Sequence, residues 1–431
     1  MNSNINDRLL HFLAQSPTAF HAAANLRAEL DHAGFTELHE DDAWALQPGG
    51  RYYVGRNGSA LISFILPDSR PGSFHIIAAH SDSPSYKIKP GPALVTEGFV
   101  RLNVERYGGP VDSSWFDRPL SFAGRVLMDE GDHLRAQLVW PEEDLLIIPS
   151  LAPHLTRHEG AAKPLNVQTD LLPVLCGGGD ADAFWKQLAA RLGTAPEQIL
   201  GADLYLCVRE LPRIWGPEKE FLSAARLDDL ECVYCTFLGF LDADPGNCIA
   251  VHCVFDNEEV GSRSRQGADS GFLRDVLQRL CASLRLPEED YHRLISRSFL
   301  VSADNAHAVH PNFSQNSDPV NRPKLNQGIV LKHQGSLRYA TDALSAAILR
   351  KICRDHQIPC QDYTNRSDIP GGSTLGSLSE SQIPLLTADI GLGQLAMHSC
   401  FETAGARDPE YLVRFSEYYY SEPLPRMEAD L

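Results

Sequence analysis

Five stretches of this chain put groups that can bind a metal or move a proton directly beside apolar runs. Phe74-His-Ile-Ile-Ala-Ala leads into His80-Ser-Asp82, and Ile249–Phe255 leads into Asp256-Asn-Glu258-Glu259. Ser298–Ala303 leads into Asp304-Asn-Ala-His307, and the run Ala388–Met397 leads into His398. Asp228 opens a long helical pattern, where a negative charge suits the positive end of the helix dipole. Two adjacent glutamates leaving a buried strand are costly unless their charge is met. Glu258-Glu259 is therefore either a solvated turn or part of a metal site.

His80, Asp228, Glu259, Asp304 and His398 together supply two imidazoles and three carboxylates. That mix suits zinc, manganese or cobalt. One catalytic zinc takes about three protein ligands, so the set points to two ions. Each would take a histidine and a carboxylate, with a third carboxylate bridging. One glutamate of the pair would bind a metal and the other would act as the base that deprotonates water. Asp82, two places after His80, is placed to orient the second ring nitrogen. Each residue also has a plainer reading: a hydrogen-bonded strand-end histidine, a turn aspartate, a helix N-cap. Their shared place at strand ends is what favours one site, because ligands of open α/β sheets gather at the carboxyl ends of strands.

The elements that must carry these groups change character along the chain. Residues 7–33 read as one or two amphipathic helices, with Ser16-Pro17-Thr18 marking a restart. Strand-like runs follow at Arg51–Val54, Ser59–Leu66 and Phe74–Ala79. From about Pro92 to Arg213 the pattern turns to alternating strands. There Asp129-Glu-Gly-Asp132 joins two of them as a hairpin, and a helix near Asp180–Leu192 stops at Gly193. After Phe221, helices at Asp228–Phe240, Phe272–Leu284 and Ala340–Asp355 alternate with strands at Ile249–Phe255, Ser298–Ser302 and Pro384–Ile390. That alternation predicts an α/β fold with a mixed, largely parallel sheet flanked by helices. The catalytic domain is expected to be discontinuous, residues 1–91 and 222–431, interrupted by a β-rich domain over 92–221.

The formal net charge of -18 argues against a nucleic-acid partner. No apolar run approaches membrane-spanning length, and Met1–Ser16 lacks the features of a signal peptide. Ten cysteines in 431 residues do not make a disulfide framework. Cys232 and Cys235 match C-x-x-C but fall inside a helical pattern, which favours reduced thiols packed in a core over a redox site. The expected compartment is the cytoplasm.

Ala79-His-Ser-Asp-Ser-Pro84, Arg226-Leu-Asp228, Phe255-Asp-Asn-Glu-Glu-Val-Gly-Ser262, Ser302-Ala-Asp-Asn-Ala-His-Ala-Val-His-Pro311 and Leu395-Ala-Met-His-Ser399 occur in this order. In these blocks the chain resembles the aspartyl aminopeptidases, peptidase family M18. The resemblance implies that Asp228 bridges two zinc-type ions, that His80 and Asp304 complete one, and that Glu259 and His398 complete the other. It implies Glu258 as general base and Asp82 as partner of His80. It further implies a β-rich dimerisation domain inserted in the peptidase domain, and a homo-oligomer, a dodecamer built from dimers, in which His154 reaches a neighbour's active site. The family has Asn after the bridging Asp where this chain has Asp229, so the bridge could fall on either aspartate. A cis peptide is expected between Asp228 and Asp229.

The implied reaction is hydrolysis of an unblocked acidic residue, Asp or Glu, from the N-terminus of a peptide. Lys332 and Arg338 are candidates to read that acidic side chain, and the loop Ile369–Gly376 could let backbone approach the substrate. Three other readings stand beside it: a di-metal aminopeptidase or deacylase without acidic preference, a non-catalytic assembly protein on the same fold, and a thiol oxidoreductase on Cys232 and Cys235.

Overall fold

The structure is a computed structural model that describes residues 5–156 and 164–425. It divides into two compact units, one formed by the chain up to Asp82, Pro212–Met397 and the chain from Glu402 on, the other by Ser83–Leu211 with His398–Phe401.

The first unit is built on a nine-stranded sheet. Its strands run in the order Thr36–Leu38, Arg51–Arg56, Ala60–Ile65, Ile249–Phe255, Phe74–His80, Phe299–Ala303, Leu386–Gly391, Ile329–His333 and Cys360–Thr364. The four strands from Ile249–Phe255 to Leu386–Gly391 are mutually parallel. They are buried on both faces, which explains why they read as unbroken apolar runs rather than alternating ones. Successive residues still face opposite layers. Ile77, Val254 and Val301 pack against helices that include Leu227–Leu241 and Asp408–Ser421. Ile76, Val251 and Leu300 pack against Phe272–Ser283 and its neighbours on the other side. Because the central strands are parallel, the residues that follow His80, Phe255 and Ala303 emerge on one edge of the sheet.

The expected mixed, largely parallel sheet is present, and so are the two N-terminal helices, Ile5–Gln15 and Ala19–His32. Two features depart from expectation. The run Ala388–Met397 is not one strand: it breaks after Gly391 and resumes as Gly393–Leu395 in a separate five-stranded sheet. His398 therefore follows a short strand of that smaller sheet, in a left-handed turn with φ of 68°. The smaller sheet, which also contains Ala306–His307, Arg213–Trp215, Phe221–Ala224 and Glu402–Gly405, has strands of two to four residues. Such pieces are too short to carry a periodic signal.

The second unit is a six-stranded antiparallel sheet in the order Leu134–Val139, Leu120–Asp129, Ile199–Val208, Ser85–Thr96, Phe99–Tyr107 and Val174–Gly177. Leu120–Asp129 pairs with Leu134–Val139 across the Asp129–Asp132 turn. The helix Ala183–Leu192 stops at Gly193, whose φ of 67° is the left-handed value that favours glycine. Strand Ser85–Thr96 pairs with Phe99–Tyr107, so this unit begins at Ser83, ahead of Pro92.

Candidate metal centre

His80 ends strand Phe74–His80, and its ring is held from behind. Nδ1 lies 3.0 Å from the carbonyl oxygen of Asp82. A carbonyl only accepts, so Nδ1 carries hydrogen and Nε2 is the nitrogen turned toward the acids. Nε2 lies 3.4 Å from Asp228 Oδ1 and 3.9 Å from Asp304 Oδ1. His80, Asp228, Asp229 and Asp304 offer ligand atoms all within 4.8 Å of one another, as do His80, Glu258 and Glu259.

Asp228 and Asp229 follow Arg226, which adopts a left-handed conformation and donates from its guanidinium to the carbonyls of Ser16 and Leu13. The Asp228–Asp229 peptide is cis, as expected, and neither residue has helical dihedrals although both lie in the span Leu227–Leu241. The two side chains turn differently. Asp229 accepts from the amide of His80 through Oδ2 and from that of Asn305 through Oδ1, each at 3.2 Å. It fastens one strand end to another. Asp228 faces His80 Nε2 instead, and its own amide donates to Glu402 Oε2 at 3.1 Å.

The two glutamates sit in a tight turn, Glu258–Val260, flanked by Asn257 at φ 66° and Gly261 at φ 98°. Asparagine and glycine are the residues that tolerate this left-handed geometry, which accounts for the spacing Asn-Glu-Glu-Val-Gly. Asp82 anchors the turn, because its carboxylate accepts from the amides of Glu258 at 3.0 Å and Glu259 at 3.2 Å. The sequence assigned that carboxylate to the second nitrogen of His80. In the structure the carbonyl of Asp82 takes the closer contact, and Oδ1 stands at 3.4 Å from Nδ1.

Asp304 follows strand Phe299–Ala303. Its carbonyl lies 2.0 Å from where a Cβ would sit on Gly391, so only glycine allows the neighbouring strand this close. Asp304 Oδ2 lies 3.3 Å from Lys332 Nζ, which also donates to the Asn305 carbonyl at 2.9 Å. Lys332 is 3% exposed, so it is not a solvated surface lysine. Arg338 donates to the carbonyl of Gly371 at 2.8 Å. His398 belongs to the short segment grouped with the second unit, where its Nδ1 donates to the Gly109 carbonyl at 3.1 Å. His154 is exposed in the short helix Pro153–Thr156.

Asn305 and Glu402 are the residues that the sequence reading passed over. Asn305 donates to Leu227, Glu231 and Gln394, tying the Asp304 loop to the start of the Asp228 helix. Its place directly after Asp304 was the available signal. Cys232 and Cys235 are buried, and burial raises both thiols well above their ordinary pKa, which disfavours the reactive thiolate.

The electrostatics test whether these residues fit a cation. Burial, with the charges of Asp304, Asp82 and Asp228, outweighs His80 and pushes Glu258 up to about 8. Burial and the charge of Asp228 do the same to Glu259, which rises well above the carboxylate range. For His80, burial alone would lower the pKa, but Asp228, Asp304 and Asp82 outweigh it and raise it. Crowded, buried acids that repel one another around an imidazole are the environment that divalent ions relieve. The donor set fits zinc-type ions.

Among the described residues, no helix is long and apolar enough to cross a membrane. The family described as aminopeptidase I zinc metalloprotease (M18) matches residues 12–420. The chain is 40% identical over 424 residues to a probable M18 family aminopeptidase 2 of Clostridium novyi, covering 96% of this chain and 98% of the relative. It is 41% identical over 436 residues to a protein of the same name from Pseudomonas aeruginosa, covering 99% of this chain and 100% of the relative. Its fold matches Ape4, solved in complex with Nbr1, with a TM-score of 0.92 and 34% identity over 96% of this chain and 85% of that one. It also matches the S. cerevisiae mApe1 dodecamer, with a TM-score of 0.85 and 26% identity over 97% and 96% of the two chains.

Proposed function

Since this chain belongs to the M18 family of zinc metallo-aminopeptidases, we propose that it hydrolyses unblocked acidic residues from the N-termini of peptides, with Glu258 as general base. The observation that carries this reading is His80 at the edge of a parallel sheet, grouped with the buried Asp228 and Asp304 on one side and the half-buried Glu258 and Glu259 on the other. When bound, a pair of zinc-type ions supplies Lewis acidity and a water-derived nucleophile at neutral pH.

His80, Asp228 and Asp304 would hold one ion, and Asp228, Glu259 and His398 the other. In favour of Asp228 rather than Asp229 as the bridge, both oxygens of Asp229 are engaged with backbone amides. Glu258 would take the proton from the attacking water and return it to the leaving amine. Its carboxylate sits on the turn that Asp82 anchors, beside His80 and Glu259.

Acidic preference needs a fixed cation near the scissile end. Lys332 is one candidate, held protonated despite its burial by the charges of Asp304 and Asp389. Arg338 is the other, since its bond to the Gly371 carbonyl leaves further guanidinium donors. The inserted β-rich unit would form the dimer contact, with His154 presented to a neighbour. The dodecamer recorded for the yeast relative supports such an assembly.

Metal content per chain, with rates on Asp-, Leu- and Lys-terminal peptides before and after chelation, tests the reading. Two ions per chain, loss of activity on chelation and fastest turnover of the Asp peptide are expected. Equal rates on Asp and Leu peptides would favour a related aminopeptidase without acidic preference. Lys332→Met should narrow the ratio of Asp-peptide to Leu-peptide rates.

A further inference from the structure

Asp389 is a fully buried carboxylate in strand Leu386–Gly391, paired in register with Ser302, two residues before Asp304. It is absent from the ligand set and from the proton path, yet it joins two loops. Its amide donates to Thr341 Oγ1 at 2.8 Å and its Oδ2 accepts from the Ala340 amide at 2.5 Å. Its Oδ1 accepts from the Thr374 hydroxyl. One loop follows the strand of Lys332 and carries Arg338. The other is the glycine-rich stretch Ile369–Gly376. A Cβ at Gly376, in the first turn of the helix Leu375–Gln382, would lie 2.5 Å from Asp389 Oδ1, so a side chain there would displace the carboxylate.

The two loops also hold each other. Arg338 donates to the Gly371 carbonyl at 2.8 Å, and Ser377 donates to the Arg338 carbonyl at 3.3 Å. Ile369, Pro370, Gly371 and Gly372 line a cavity of about 380 Å³ together with His307 and Leu395. Burying a carboxylate is costly unless donors meet it. Here the donors come from both loops, and a carboxylate offers each its own oxygen where an amide would offer a single acceptor.

We infer that the cavity lined by the glycine-rich loop takes the substrate's first side chain and that Asp389 is its positioning residue, clamping that loop to the Lys332–Thr341 segment. The inference rests on the aminopeptidase reading but not on which side chain is preferred. Misplacing a binding wall by about 1 Å can cost on the order of a hundredfold.

The test is steady-state kinetics of Asp389→Asn and Thr374→Val, each as the full chain loaded with zinc, on Asp- and Leu-terminal peptides. Asp389→Asn should raise KM for the better peptide roughly ten- to a hundredfold, narrow the ratio between the two peptides and leave zinc content unchanged. Thr374→Val, which removes one donor, should show the same pattern more weakly. Wild-type KM and wild-type peptide ratio in either folded variant would overturn the inference. So would a fall in kcat with KM and ratio intact, which would mark a general structural role. If the wild-type enzyme prefers the Leu peptide, acidic specificity fails while the clamp is still read from the KM of that peptide.

Discussion

Glu258 and Glu259 are neighbours on one turn, and their surroundings separate their chemistry. Both amides are held by Asp82, so the backbone between them is fixed while the carboxylates extend toward His80 and the aspartates. If Glu258 moves the proton, Glu258→Gln keeps the shape and removes the base. Turnover should then fall about two to four orders of magnitude with metal content intact. Near wild-type turnover in that variant would exclude Glu258 from proton transfer. At this scale the residue types were legible because each directly follows an apolar run or opens a helix. What they point at was not: Lys332 reads as an ordinary lysine in Val330-Leu-Lys-His, and its pairing with Asp304 spans 28 positions of the chain.

Among the elements, the parallel strands matter most, and Asp82 joins two of their ends. Removing its carboxylate in Asp82→Ala would release the Glu258 and Glu259 amides together. Outer-shell partners of this kind are worth roughly 10- to 100-fold in metal affinity or activity. Asp82→Ala is therefore expected to weaken zinc binding by about that factor in a chelator competition, with circular dichroism unchanged. Zinc affinity equal to wild type would show that the turn holds its shape without the anchor. The long strands were legible from continuous apolar runs. The last two strands of the large sheet, Ile329–His333 and Cys360–Thr364, and the small sheet were not, because their pairing partners, not their own composition, make them strands.

For the whole molecule, the sharpest expectation is assembly. Light scattering of the full chain should report a homo-oligomer consistent with a dodecamer, and a monomer at micromolar concentration would remove the neighbour-reaching role of His154. The apolar runs that became the central strands, the residue types that follow them and the change to a β-rich middle were legible in the sequence alone. Apolar runs, turns and charged residues act locally, and a parallel sheet sends its strand ends to one edge. Only the tertiary structure decided which of two adjacent aspartates turns toward His80 and which onto backbone amides. It also decided that Asp82 braces the glutamate turn and that Asp389 joins two loops. Carboxylate orientation depends on donors brought in from remote segments, such as the Asn305 amide on Asp229 and the Thr374 hydroxyl on Asp389.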